Sequence, residues 1–215
     1  RRLSNLSLKA AFPASPIGFS SFVWLQFPQN VSRAAIIHSP ARGAYRELGN
    51  PGYNHLAQAL HGKGYSVDYW ELMLNQGQLL WAFAVDDAHL GDAYPWPNGG
   101  WVWVKAEKLD ADAITESLRT GRFYSSSGPQ IHDVTIHSGV LRVKTSPCRT
   151  VCFSTTGGGG FCRRSDGSRP EDANGLFEEA EFDVSAYLSG ENGGYLRVEC
   201  EDEKGGRAWL NPIFF

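Results

Sequence analysis

The stretch Leu79-Leu80-Trp81-Ala82-Phe83-Ala84-Val85-Asp86-Asp87-Ala88-His89 bears most directly on the fold of this chain. Its first seven residues are all apolar, and a run of this length is typical of a buried strand that is covered on both faces of a parallel sheet. Two acidic residues and a histidine follow soon after. Because open α/β sheets and barrels carry their chemistry at the carboxyl ends of their strands, the stretch predicts a functional site there.

Predicted strands and helices alternate on both sides of this run. Short apolar runs predict three further strands, at 22–25, 34–37 and 101–104. Helical spacing predicts three helices, at 54–60, 66–77 and 110–121. Ser66 and Asp110 are suitable N-caps for the second and third helices, and Gly77 and Gly121 are suitable residues to end them. This alternation favours the α/β class.

The sequence pattern changes near Gly128-Pro129. Beyond this point, turns rich in Gly or Asn separate short β-prone segments, at 131–136, 140–143, 151–154, 181–184, 195–199 and 208–210. The glycine run at 157–160 is expected to be a loop, and helical spacing is absent. About 85 residues with this pattern are typical of a β-sandwich. We therefore predict two domains, an α/β domain over residues 1–128 and a β-sandwich domain over residues 129–215.

Composition argues against several classes of protein. The formal net charge is -3 and the pI is about 6.1, so the basic stripe of a nucleic-acid-binding protein is not expected. The longest uncharged stretch, between Lys9 and Arg33, contains three prolines and predicts neither a membrane span nor a signal peptide. The four cysteines fit either two disulfides or buried thiols, and they leave the cellular compartment open: Cys148, Cys152, Cys162 and Cys200.

Three side chains at predicted strand ends form a candidate metal site. Asp87 and His89 are two residues apart, and in an extended segment such side chains point the same way. His38 follows the predicted strand at 34–37. Two imidazoles and a carboxylate suit Zn, Mn or Fe, and a metal ion there would generate a hydroxide nucleophile. The alternative is structural, with the acid as a cap and the histidines bound to backbone carbonyls. Asp86 is expected to be a cap or to orient a ligand imidazole.

Four motifs resemble segments of the PHP (polymerase and histidinol phosphatase) superfamily, in particular its CehA/McbA-like branch. The run from Leu80 to His89 is similar to the late metal-binding segment of that family, and Ile36-Ile37-His38-Ser39-Pro40 is similar to its segment with an earlier histidine ligand. The segment from Gly121 to Pro129 resembles the one that closes the catalytic domain. The segment from Arg197 to Phe214 resembles the C-terminal β module.

The resemblance implies a fold and an activity. The family fold is a distorted β/α barrel with metal ions at its carboxyl end, and its members hydrolyse phosphoesters or related ester and amide bonds. Carried over by position, His38, Asp87 and His89 are metal ligands, and Asp87 and His89 have catalytic roles. We therefore expect a metal-dependent phosphoesterase that uses Zn, Mn or Fe and acts on a small phosphoester.

The sequence also departs from the family, because no histidine precedes His38 and the opening His-x-His pair has no counterpart. The expected fold is therefore a partial or degenerate PHP barrel followed by a β-sandwich, in either a fragment or a degenerate relative. A partial barrel exposes strand edges, which favours self-association. The alternative function is an inactive scaffold that binds partners or glycans through its β-sandwich.

Aromatic residues closely follow the predicted ligands. Trp96 and Trp101 lie in and at the end of a loop rich in Gly and Pro. Because aromatic rings stack on sugars and bases, the two tryptophans are predicted to wall a substrate pocket. Burial against the β module is the alternative for these side chains.

Overall fold

The computed structural model describes residues 7–9, 22–26, 52–86, 98–169, 175–188 and 194–215. The chain divides into two compact units, Arg1–Ser125 and Ser126–Phe215. The sequence pattern places the boundary slightly later, after Gly128. The predicted strand at 34–37 lies outside the described residues.

The described part of the first unit combines short strands with three helices. The strands are β1 (Ser7–Lys9), β2 (Phe22–Gln26), β3 (Gly52–Asn54), β4 (Phe83–Val85), β5 (Trp101–Lys105) and β6 (Phe123–Ser126). The helices are α1 (His55–His61), α2 (Val67–Asn75) and α3 (Ala111–Arg119). In one sheet the strand order is β1-β2-β5-β6, and the β1–β2 and β2–β5 pairs are antiparallel. β3 and β4 form a separate parallel pair.

The core of the first unit lies between β5, β6 and α3. Val102 and Val104 of β5 are fully buried, and they pack with Ile114 and Leu118 of α3 and with Phe123 of β6. The other residues of β5, Trp101, Trp103 and Lys105, are less buried, so the strand alternates between core and exterior. This alternation is typical of an antiparallel strand with one buried face.

The caps of the helices agree only partly with the sequence. The Asp110 carboxylate accepts a hydrogen bond of 2.8 Å from the Ala113 backbone N–H, which confirms the predicted N-cap of α3. Ser66 is the N-cap residue of α2, but its side chain makes no capping hydrogen bond. The helices in the described part of the chain are short, and none is long and apolar enough to cross a bilayer.

The predicted PHP-type β/α barrel is wrong, because antiparallel sheets dominate the described residues and no barrel is formed. The run Leu79–Val85 predicts a buried strand of a parallel sheet, yet only Phe83–Val85 is a strand. Leu80 and Ala82 are buried without joining a strand. An apolar run shows that a segment is buried, but it does not specify which strands flank it or in which direction they run.

The second unit consists of two antiparallel sheets in its described residues. Its strands are β7 (Ile131–His137), β8 (Val140–Cys148), β9 (Thr150–Thr155), β10 (Gly159–Arg164), β11 (Phe177–Asp183), β12 (Tyr195–Glu201), β13 (Arg207–Leu210) and β14 (Ile213–Phe214). One sheet has the order β13-β12-β9-β10, with β14 also paired to β12. The other has the order β11-β8-β7. A short helix, α4 (Ser185–Leu188), follows β11.

Three elements of the second unit have no counterpart in the sequence prediction: β10, the two-residue strand β14 and the helix α4. β10 begins at Gly159, inside the glycine run that the sequence pattern predicts to be a loop, and it pairs with β9 along its whole length. Gly160 is close to the β9 backbone, since a Cβ there would lie 2.3 Å from the Phe153 carbonyl oxygen. The glycines therefore permit two strands to pair closely. Interpreting them as turn residues misses this pairing. The helix α4 has only four residues, too few for a helical period to be visible in the sequence.

The cysteines divide into one disulfide and one pair of thiols. Cys152 and Cys162 are direct partners in the β9–β10 pair, and a disulfide joins them. Cys148 and Cys200 are free and buried. A hydrogen bond with Cys148, together with burial, raises the pKa of the Cys200 thiol well above its usual range, so Cys200 keeps its proton.

Candidate functional site

The candidate site lies at the carboxyl ends of β3 and β4. In this parallel pair, Asn54 is opposite Val85, so the residues that follow, His55 and Asp86, lie at the same edge. The Leu56 backbone N–H donates a hydrogen bond of 3.1 Å to the Asp86 carbonyl oxygen, which ties the first turn of α1 to the end of β4. The carboxyl ends of two parallel strands therefore do meet at one edge, but they belong to a two-stranded sheet.

Asp86 is buried at this edge and binds the backbone of a neighbouring loop. Its Oδ1 accepts hydrogen bonds from the backbone N–H groups of Gly99, at 2.7 Å, and Gly100, at 2.8 Å. Its Oδ2 accepts a third from the Asn98 N–H, at 2.7 Å. Hydrogen bonds to a carboxylate are stronger than those between neutral groups. Asp86 therefore fixes the start of the segment that leads into β5.

Tyr53 and His55 form the other half of the site. A hydrogen bond of 3.2 Å joins the Tyr53 hydroxyl to His55 Nδ1. Burial, the neighbouring Tyr65 and the Asp86 carboxylate together raise the pKa of Tyr53 to about 12. The phenol is therefore protonated at neutral pH and remains available for hydrogen bonding to the imidazole.

The loop bound by Asp86 packs directly against His55. A Cβ at Gly99 would lie 2.0 Å from His55 Cγ and 2.1 Å from Nδ1, a separation that no real Cβ contact permits. Only glycine lets the backbone approach the imidazole this closely. Tyr53, His55, Asp86 and the segment 98–100 are thus one packed cluster.

The structure places some of the predicted site residues and not others. Asp86 is in the cluster, and Trp101 is half-buried at the start of β5. The other predicted residues lie outside the described part of the chain: His38, Asp87, His89 and Trp96. Their proposed roles, and the substrate-binding role of Trp101, remain predictions. Asp87 follows Asp86 directly in the chain.

Tyr53 and His55 were not predicted as site residues. The sequence places His55 at the start of the helix predicted over 54–60, where a histidine commonly interacts with the helix end, and it gives no strand at 52–54 because Asn50-Pro51-Gly52 has the composition of a turn. A usable signal is the sequence Tyr53-Asn54-His55, in which polar and aromatic side chains stand at the start of the helix predicted over 54–60.

Within the described residues, no three His, Cys, Asp or Glu side chains converge to hold a metal ion. The Asp86 carboxylate is already bound by three backbone donors, which suits an anchoring role rather than metal ligation. A metal ion at this edge would therefore need ligands other than Asp86.

Comparisons of the chain with models of known protein families, with curated proteins and with solved structures find no match. The resemblance to the PHP superfamily accordingly remains a hypothesis carried by the motifs.

The raised pKa of Tyr53 predicts a specific pH dependence of stability. Free tyrosine has a pKa of 10.0, whereas Tyr53 in the folded chain has one of about 12. The contribution of this raised pKa to the free energy of unfolding is fully present below pH 10. It is lost as the pH rises towards 12, because Tyr53 ionises at a lower pH in the unfolded chain than in the folded one. Over this range we expect the urea midpoint of the wild type to fall more steeply than that of Tyr53→Phe.

The exposed Tyr69 offers a matched control for this measurement, since it is 58% exposed on α2. The midpoint of Tyr69→Phe should fall with pH as steeply as that of the wild type. Equal slopes for Tyr53→Phe and the wild type would contradict the assignment of the raised pKa to Tyr53.

Proposed function

We propose that the chain is a metal-dependent hydrolase of phosphoesters whose site lies at the carboxyl ends of β3 and β4. The observation that carries the proposal is the buried Asp86 carboxylate, held by three backbone hydrogen bonds at the end of β4 and directly followed by Asp87-Ala88-His89. A rigid strand end is a suitable base for ligands, because a metal site requires side chains held in a defined geometry.

The proposal assigns a role to each residue. Asp87, His89 and His38 supply one carboxylate oxygen and two imidazole nitrogens, a set that suits Zn, Mn or Fe. When bound, such an ion would activate water and stabilise negative charge on the phosphoryl group. Asp86 is bound to the segment 98–100, and we assign it the role of holding the start of the segment Asp87–His89 at the end of β4. Trp96 and Trp101 are assigned to the substrate pocket, as the sequence predicts.

His55 adds a group for proton transfer in this proposal. Its imidazole lies at the same strand edge, and the hydrogen bond to Tyr53 fixes its ring. An imidazole held in this way can give a proton to a leaving alkoxide or take one from water. We therefore assign to His55 the role of general acid or base beside the ligands.

The test is the metal content of the purified chain, measured by elemental analysis after incubation with Zn, Mn or Fe(II) and gel filtration. We expect about one equivalent of one metal in the wild type. Asp87→Ala and His89→Ala should lower this content about tenfold or more, because each removes a ligand. Hydrolysis of p-nitrophenyl phosphate should fall in parallel.

Asp112→Ala is the matched control, since Asp112 is an exposed acid in the first turn of α3 and lies within the same unit. It should retain both metal and activity. A folded wild-type chain that binds none of the three metals would overturn the proposal, as would unchanged metal content in Asp87→Ala.

A further inference from the structure

The second unit contains a cavity that the proposed hydrolase does not use. It has a volume of about 250 Å³ and lies between β10, β11 and α4. Four aromatic side chains line it: Phe153, Phe161, Phe182 and Tyr187. Pockets for drug-sized ligands are typically about 300–1,000 Å³, so this cavity suits a single ring.

We call the buried Phe153 the floor of the cavity, and the more exposed Phe161 and Tyr187 its two walls. Phe153 is buried and packs edge-on against Phe182, at 5.2 Å between ring centroids, and against Tyr187, at 5.3 Å. Phe161 and Tyr187 are 40% and 36% exposed. Large aromatic side chains that are this exposed around a cavity are suited to contact with a ligand.

The wall that carries Phe161 is held in place covalently. Phe161 is paired with Phe153 across the β9–β10 ladder, and the next pair is Cys162 with Cys152, joined by the disulfide. Successive side chains of a strand point to opposite faces, so the disulfide lies on the face away from the cavity. β10 is the last strand of its sheet, and the bond holds this edge strand to β9. The site is therefore pre-organised, which lowers the entropic cost of binding.

Charged groups of both signs surround the aromatic walls. Arg163, Glu181 and Asp183 line the cavity. Arg163 Nε donates a hydrogen bond of 3.3 Å to the Glu181 carbonyl oxygen. Hydrogen bonds from the Ser185 hydroxyl and backbone N–H lower the pKa of Asp183, so its carboxylate is ionised at neutral pH.

The charges around the cavity balance. Arg142 forms ion pairs with Glu179, at 3.2 Å, and with Glu181. The Arg169 guanidinium lies 4.7 Å from the centroid of the Phe161 ring. Beside the aromatic walls, two arginines thus accompany two carboxylates: Arg163 and Arg169 with Glu181 and Asp183. A balanced field gives no preference for an anion or a cation, but it supplies both donors and acceptors of hydrogen bonds.

We propose that this cavity binds the ring of a neutral sugar. The face of an aromatic ring carries negative partial charge, which complements the C–H groups on one face of a pyranose. The hydroxyl groups at the edge of the same ring both donate and accept hydrogen bonds, which suits a lining that combines a donor, the Arg163 guanidinium, with the acceptor oxygens of Glu181 and Asp183. The second unit is therefore a sugar-binding module.

The test is ligand-observed saturation-transfer NMR on the full chain. The probes are the methyl glycosides of glucose, galactose, mannose and N-acetylglucosamine, with choline as a cationic comparison. We expect one or more glycosides to bind with a Kd on the order of millimolar, the range for a ligand of about a dozen heavy atoms. Binding should be unchanged between low and high salt, because the ligand is neutral.

Variants assign the binding to this cavity. Phe161→Ala and Tyr187→Ala should each weaken binding about tenfold or more, because each removes a stacking wall, and Phe161→Tyr should retain it. Tyr69→Ala, an exposed aromatic in the first unit, should bind as the wild type does. Near-UV circular dichroism establishes that each variant is folded.

Three outcomes would overturn the proposal. The first is that none of the glycosides shows saturation transfer at a concentration of about ten times the expected millimolar Kd. The second is unchanged binding in both folded alanine variants. The third is salt-sensitive binding of choline in place of the sugars, which would assign the cavity to a cation. Asp87→Ala should bind sugar normally, so failure of the metal proposal and failure of this one are distinguishable.

Discussion

Replacement of Asp86 with alanine is expected to lower the free energy of unfolding of the first unit by about 3–4 kcal/mol. The wild-type carboxylate accepts hydrogen bonds from the backbone N–H groups of Asn98, Gly99 and Gly100. Gly100 is buried, so its N–H would be left without an acceptor, whereas the more exposed Asn98 can bind water instead. Urea unfolding followed by tryptophan fluorescence measures the change.

Asp86→Asn separates the geometry of the acceptor from its charge. An amide oxygen in the place of Oδ1 would keep the bonds from Gly99 and Gly100, and the amide nitrogen would face the Asn98 N–H. We expect about half the loss seen in the alanine variant. Asp112→Ala on the exposed face of α3 should change stability by no more than about 0.5 kcal/mol. If Asp86→Ala were as stable as this control, the anchoring role of Asp86 would be wrong.

Trp70→Ala is expected to destabilise the first unit by about 3–5 kcal/mol. Trp70 is fully buried on α2, and its indole N–H donates a hydrogen bond of 3.1 Å to the Leu80 carbonyl oxygen. Truncation removes the largest side chain in this part of the core and leaves both a cavity and a buried carbonyl without this donor. Thermal and urea unfolding followed by far-UV circular dichroism measure the effect.

The neighbouring residue provides the control for Trp70. Tyr69 is on the same helix and exposed, so Tyr69→Ala should cost no more than about 0.5 kcal/mol. Trp70→Phe should lie between the two, because it keeps much of the ring and loses the hydrogen bond. A Trp70→Ala loss as small as that of Tyr69→Ala would contradict the packing described for α2.

Local signals in the sequence were sufficient for several elements of the fold. Asp110 predicted the start of α3 because a short acidic side chain can accept from the backbone of the first turn, and it does so. The β-prone runs in the second unit also gave the positions of most of its strands. These signals depend on contacts within a few residues, which are visible in one sequence.

Long-range pairing could not be predicted in the same way. The run Leu79–Val85 is mostly buried, as its composition indicates, but its partner is the three-residue strand β3, and antiparallel pairing dominates the neighbouring sheet. Burial in this unit also comes from α3 and β6, which are distant in sequence. Hydrophobicity reports the burial of a residue, whereas strand direction is a property of the partner.

The candidate site illustrates the same division. The sequence singles out Asp86 as a cap or an orienting residue at a strand end, and its carboxylate binds backbone N–H groups at that edge. Its three donors come from 98–100, and the contact of Gly99 with His55 joins this segment to the start of α1, a proximity that no local pattern encodes. The Tyr53–His55 pair was missed for the same reason, since its importance arises only once β3 is paired with β4.

The disulfide between Cys152 and Cys162 also bears on how the chain reaches its oxidised form. The two cysteines are ten residues apart and lie in one hairpin, so they meet as soon as that hairpin forms during synthesis. Cys200 is made later and becomes buried beside Cys148, out of reach of exchange. The register of the β9–β10 hairpin, which places Cys162 directly opposite Cys152, therefore favours the native pairing, and we expect correct oxidation to require little reshuffling by an isomerase.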